Sequence, residues 1–322
     1  MRGLSVLLTA ALASPVAAAT VPADLAGLLP PDVQVVVAVD AAALRSNPTV
    51  QRWLLEQQAP WSGVPADAAA FLRDAGVDPV QDIDALVLGF APSEGREQVL
   101  ALVGGRFDPA SLGAALLARG ATAVPLGPAT AYRPPERPTQ GARRATLILP
   151  LATTILAGTE EAVAAAAHRQ PAPIPLLTAA VAAGRVDLTA HFWVVADVPE
   201  RPQRAAELTQ AAEGAREMGE VLLASRTVRR ATMQATLDEA LHLKGLAEAD
   251  TAENAELLRD AIKGALAAMR LEAQERAPEL VDVLRDVRVG LDGTVVSVVG
   301  AVPIALIERH ASACQPRPNT AP

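Results

Sequence analysis

Val228-Arg229-Arg230-Ala231-Thr232-Met233-Gln234-Ala235-Thr236-Leu237 is the stretch on which the reading of the fold turns. Arg229, Ala231, Met233, Ala235 and Leu237 alternate with Val228, Arg230, Thr232, Gln234 and Thr236. Alternation with period two describes a strand with one mainly apolar face and one wet face. That is the requirement of an antiparallel sheet covered by helices on one side. Segments 221–225 and 240–248 extend the run of strands on either side. Residues 250–271 then read as a helix, with Asp250 and Glu253 spaced as a capping box and Ala255, Leu258, Ile262, Leu266 and Met269 on one stripe. This helix is expected to pack on that sheet. Strands at 287–291 and 295–299 flank Asp292-Gly293, a hairpin signal, and 303–310 closes the fold as a helix.

The same order is found upstream. A valine-rich strand at 33–39 stops at Asp40, which is placed to cap a helix beginning at Ala41. Trp53 and Phe71 read as core residues of the helical stretches that follow. Strands at 85–91 and 98–104 surround a loop of hairpin length, and Asp108-Pro109 opens a helix ended by Gly120. Residues 122–132 hold a strand or two. Arg133, Arg137, Arg143 and Arg144 lie in a proline-containing loop, and a hairpin at 146–156 leads to a helix with Glu160 and Glu161 in its first turn, where the helix dipole favours them. Pro171, Pro173 and Pro175 mark the best boundary. Beyond it come a strand at 188–196, Asp197 at its end as Asp40 ends the first, and a helix at about 202–214. The expected fold is α+β, with antiparallel sheets, helices packed on one face and two similar halves, 20–170 and 171–311, from an internal duplication. Residues 312–322 read as a disordered tail.

Residues 1–19 read as a cleavable signal peptide: Arg2 supplies the positive start, 4–13 the short apolar region, and Ala17-Ala18-Ala19 the small side chains before the cleavage point. No later segment approaches the ~20 apolar residues of a membrane span. The mature chain is expected to be periplasmic or secreted. A lone cysteine, Cys314, cannot form a bridge within the chain; its place in the tail reads as a solvated thiol, with pairing between two molecules or with a small thiol as the alternative. A net charge of −8 repels phosphate polymers, and 2% aromatic residues leave few platforms for stacking bases, so nucleic acid is not an expected partner. For the same reason an aromatic carbohydrate strip is hard to build from Trp53, Trp61, Trp193 and Tyr132.

No catalytic, metal or cofactor motif stands out. His168, His191, His242 and His310 lack a second ligand at metal-site spacing, and Ser297 lies within an apolar strand rather than a nucleophile elbow. Asp78, Asp82 and Asp84 lack the oxygen ligands and terminal Glu of a calcium loop, and turn and cap chemistry accounts for Asp78 and Asp82. Gly104-Gly105 follows a strand without the spacing of a phosphate loop, and reads as a strand end.

Three stretches, Leu29-Pro30-Pro31-Asp32 with the strand ending in Asp40, Gly76-Val77-Asp78-Pro79 with Asp82-Ile83-Asp84, and Gly105-Arg106-Phe107-Asp108-Pro109, resemble a group of exported bacterial proteins of unknown function. The resemblance implies a duplicated α+β exported protein and no particular activity. The expected function is a non-catalytic envelope protein, a binding or assembly module whose partner is another envelope protein. One alternative is a carrier of a small apolar ligand between the two halves. Another is an enzyme whose groups, among them Asp40, Asp197 and His191, converge only in the folded chain.

Overall fold

A computed structural model describes residues 21–56, 66–93, 96–135, 146–198 and 224–313. The expected signal segment, the helix expected at 202–214, Trp61, Arg137, Arg143, Arg144 and Cys314 fall outside these residues. Among these residues twelve strands form one sheet. In chain order they are β1 (Val35–Asp40), β2 (Ile83–Ser93), β3 (Arg96–Gly105), β4 (Thr122–Leu126), β5 (Ala129–Arg133), β6 (Thr146–Pro150), β7 (Thr154–Thr159), β8 (Phe192–Asp197), β9 (Val228–Leu237), β10 (Ala240–Ala249), β11 (Arg288–Asp292) and β12 (Val295–Pro303). Across the sheet the order is β11-β12-β10-β9-β8-β1-β2-β3-β7-β6-β5-β4. Every pairing is antiparallel.

The α+β class with antiparallel pairing is therefore present, built as a single sheet to which both halves contribute. β1 pairs with β2 on one side and with β8 on the other, so the two halves meet at the β1–β8 ladder. Outward from that ladder one flank runs β1, β2, β3, β7, β6, β5, β4 and the other β8, β9, β10, β12, β11.

The helices are α1 (Val21–Ala26), α2 (Ala41–Ser46), α3 (Pro48–Glu56), α4 (Ala66–Asp74), α5 (Pro109–Ala118), α6 (Glu160–Ala167), α7 (Pro175–Ala182), α8 (Ala252–Arg276), α9 (Glu279–Asp286) and α10 (Ile304–Ala313). Their apolar sides divide between the two faces of the sheet. Leu25 and Ala26 of α1, Val163 of α6 and Leu177 of α7 share the largest core cluster with Val36, Val87, Leu102, Leu149, Leu156, Trp193 and Val195. Each fully buried leucine there contributes about 2 kcal/mol of apolar burial. On the opposite face Ala255 and Leu258 of α8 pack with Val296, Ala247 and Ala231. In the second half α8 covers one face and α7 the other, so the expected packing of helices on a single face is not what the chain does. In the first half Phe71 and Leu72 of α4, and Leu112 and Ala115 of α5, pack with Val103 and Ile155 on the α8 face as well.

Several local expectations shift by a residue or more. The strand expected at 188–196 starts at Phe192, because the Asp187 carboxylate takes the Thr189 N–H and O–H at 2.9 and 2.7 Å and holds a turn there. Of the strand expected at 221–225, residues 221–223 fall outside the described residues, and Ser225 instead opens a short 3-10 turn, Ser225–Thr227. Helix α8 is capped by Thr251, whose hydroxyl accepts the Asn254 N–H at 3.1 Å, while Asp250 accepts the Asn254 side-chain amide. Of the expected stripe, Met269 is exposed. Past Ala265 the helix turns to α9 instead of the sheet, and Arg270 donates to the Leu284 carbonyl at 3.0 and 2.7 Å. The last hairpin pairs Asp292 with Val295, so its turn is Gly293-Thr294, with Gly293 at φ 56 in the first central position. Helix α7 had no counterpart in the sequence reading. Pro175 occupies its first turn, and Gly184, at φ 64, ends it as the Arg185 N–H reaches the Ala180 carbonyl.

Candidate functional site

The Gly184 turn brings Arg185 back onto the sheet just past the end of α7. There, among the described residues, the helical layer stops. The step leaves an open cavity of about 440 Å³. One wall is α7, through Pro175, Leu176, Ala179 and the following Ala183; another is the segment 31–34 leading into β1; the floor includes Val195, Thr232, Leu246 and Val295. Residues from 20–170 and from 171–311 both line it.

The polar side of the cavity is organised around one carboxylate. Glu248 on β10 accepts from Arg185 and from Arg230 Nη2 at 3.0 Å, and Arg230 Nε lies 3.0 Å from its other oxygen as an ion pair. Arg230 and Glu248 are registered neighbours on β9 and β10, which fixes their approach before any side-chain preference acts. The Thr232 hydroxyl donates to the Arg185 carbonyl at 3.0 Å and pins the chain segment that carries the guanidinium. Asp197, opposite Arg230 in the β8–β9 register, lines the same cavity. The result is a site with an apolar wall and a polar side on which the guanidiniums of Arg185 and Arg230 are held by Glu248, with Asp32 and Asp197 beside them. A molecule with an apolar body and a hydrogen-bond-accepting head matches that arrangement.

A second feature lies on the α8 face. Pairing registers place Leu86, Val39, Phe192, Ala235 and Leu243 in one row across five strands, and Leu88, Val37, Val194 and Met233 in the next. Leu86, Met233 and Leu243 are 41%, 44% and 37% exposed. Apolar side chains therefore reach solvent in adjacent rows at the middle of the sheet.

The groups singled out in the sequence go elsewhere. Asp40 is buried and caps α2, accepting the Ala43 N–H at 2.8 Å. Its backbone N–H donates to the His191 carbonyl, and His191 Nδ1 accepts the Leu237 N–H at 3.0 Å. Asp197 stands at the far end of the same ladder, where its N–H meets the Gln34 carbonyl. The fold unites Asp40 with His191 and separates both from Asp197. Asp78 accepts the Val80 and Gln81 N–H groups, Asp82 accepts the Asp78 N–H, and Asp84 pairs with Arg45 at 2.6 Å. Gly105 is required because a Cβ there would lie 2.0 Å from the Asp82 carbonyl oxygen. His242 contacts Asp238 at 3.0 Å; the Ala240 N–H, and after it the imidazole, holds the Asp238 carboxyl below its usual range. His168 follows α6 as its C-cap, and His310 falls on α10. Ser297 lies on β12 beside Gly290. Arg133 pairs with Glu160 at 2.8 Å, and Trp193 is wholly buried and offers no stacking surface. No group of three His, Cys, Asp or Glu side chains suited to a metal occurs among the described residues.

Arg185, Arg230 and Glu248 were not singled out in the sequence. The signal available was the pair Pro175 and Gly184, a helix start and stop that would have shown where the layer ends.

No protein-family model matches the chain, and no curated protein matches it either. Among solved structures it is similar to TP0453. Crystal form III aligns with a TM-score of 0.49 and 9% identity over 91% of this chain and 98% of that one. Crystal form I aligns at 0.45 and 8%, over 90% and 97%. The likeness concerns the course of the chain alone. No helix among the described residues is long and apolar enough to cross a membrane.

Proposed function

We propose that this is an exported, non-catalytic binding module of the envelope, periplasmic or secreted. Its ligand is a small molecule with an apolar body, held in the cavity between the halves. The observation that carries the reading is the cavity itself: about 440 Å³, within the usual range for small-molecule sites, and lined by both halves. The apolar wall of α7 suits a hydrocarbon body, and Arg185 and Arg230 suit an oxygen-bearing head. A duplicated origin, supported by the like order of strands on the two flanks, accounts for a site at their junction.

Titration calorimetry with decanoate and decanol tests this. Binding of either, abolished by Ala183→Trp placed on the cavity wall, is the expected result. Absence of heat with both probes, together with native mass spectra of source-isolated protein at the bare chain mass, would remove the reading. A second reading, a docking face for another envelope protein, is favoured by the exposed rows containing Leu86, Met233 and Leu243.

A further inference from the structure

We propose that two copies of this protein associate edge to edge through β11, across a two-fold axis at Gly290, so that the sheet continues from one molecule into the next. The proposal goes beyond the ligand reading and does not depend on the cavity. It begins with the two ends of the sheet, which differ. At one end β4 contains Pro125, which has no N–H to offer a neighbouring strand. At the other, β11 is Arg288-Val289-Gly290-Leu291-Asp292, without proline, lysine or a register shift against β12. Among the described residues one edge is blunted and the other is open.

The sequence of that open edge is complementary to itself. In an antiparallel pairing centred on Gly290, Arg288 stands opposite Asp292 of the second copy, and Asp292 opposite its Arg288. Val289 and Leu291 likewise face each other. Arg288 and Asp292 are both exposed, and neither has an ion-pair partner among the described residues. Opposite charges directly across a ladder favour pairing, and like charges oppose it.

The backbone agrees with the side chains. The two-residue turn at Gly293-Thr294 makes Asp292 and Val295 a hydrogen-bonded pair, so by alternation Gly290 and Arg288 also bond to β12. Val289 and Leu291 are left to present N–H and C=O groups outward, which is what the proposed register uses. On the α8 face these two side chains already pack against the cluster of Leu258 and Val296, so pairing would join two cores. Such a contact is isologous and closes at two copies.

Sedimentation velocity of the mature chain over a concentration series, with reductant present so that Cys314 cannot link molecules, provides the test. The expected result is a monomer–dimer equilibrium. Arg288→Asp or Asp292→Arg alone sets like charges opposite at both symmetry-related positions, and should raise the dissociation constant about tenfold. The double reversal should restore it. A monomer at every concentration would overturn the proposal. So would a dimer indifferent to both single reversals, or one that the double reversal fails to recover. Circular dichroism of each variant checks folding, which substitutions at two exposed positions should not alter.

Discussion

Gly89 lies at the centre of β2, registered between Val36 of β1 and Leu100 of β3. A Cβ built at Gly89 falls 2.5 Å from one δ-methyl of Leu29 and 2.9 Å from the other, and Leu29 is 1% exposed. The leucine methyls therefore occupy the volume a side chain at 89 would need. Two effects compete in Gly89→Ala. Reduced freedom of the unfolded chain favours alanine by about 0.5–1 kcal/mol. Overpacking a closed core costs about 1–3 kcal/mol, and Leu29, enclosed on all sides, has nowhere to move. Overpacking wins, with a net loss of about 1–2 kcal/mol. Leu29→Ala alone should cost about 2–4 kcal/mol through the cavity it leaves.

The decisive quantity is the coupling. In the double variant the new methyl at 89 fills part of the cavity left at 29, so the combined loss should fall short of the sum by about 1–2 kcal/mol. Urea unfolding of the four proteins, followed by far-ultraviolet circular dichroism and by the fluorescence of buried Trp193, measures this. Additivity within about 0.5 kcal/mol would refute the packing argument, as would a neutral Gly89→Ala. The contact also matters for the site, because Leu29 fastens the chain immediately before Pro31 and Asp32, which line the cavity.

Two further expectations follow from single contacts. Thr251→Ala removes the hydroxyl that accepts the Asn254 N–H and should cost about 1 kcal/mol in thermal unfolding, with faster amide exchange confined to the first turn of α8. Gly105→Ala drives a methyl against the Asp82 backbone, which cannot rotate away as a side chain could. Its melting temperature should fall further than that of Gly89→Ala, and an equal or higher value would show that the close approach is unimportant.

Strands were legible where one face is wet. β9 alternates because Ala231 packs with the α8 cluster on one side while Arg230 and Thr232 line the cavity on the other, and the hairpin at β2–β3 announces itself in the sequence through Pro92-Ser93-Glu94-Gly95-Arg96. Asp108 was legible as a cap because its role is local: it accepts the Ala110 N–H and the Ser111 hydroxyl, which together hold its carboxyl below the usual range. α7 was not legible, since Pro171, Pro173 and Pro175 read as a boundary when the last of them begins a helix. The cavity was hidden for a different reason. Glu248 meets Arg185 across 63 residues and Arg230 across 18, and only the pairing of β9 with β10 and the end of α7 bring them together. The ends of the sheet are equally non-local: nothing within 288–292 reveals that β11 is the last of the described strands.

The cavity and the pattern of β9 have one cause. From β7 to β8 the α7 face of the sheet is apolar and roofed by helices, with Leu156, Leu102, Val87, Val36 and Val195 beneath α1, α6 and α7. At β9 the same face turns to Arg230, Thr232 and Gln234, and the apolar residues move to the side covered by α8. A roof of apolar side chains cannot extend over that row without burying an arginine away from water. Among the described residues the helical layer ends at α7, and Arg185, delivered by the Gly184 turn, meets Glu248 and Arg230 at the boundary. A change of core from one face to the other within a continuous sheet thus leaves a step with one apolar and one polar side, and the alternation that reveals the sheet also places the site.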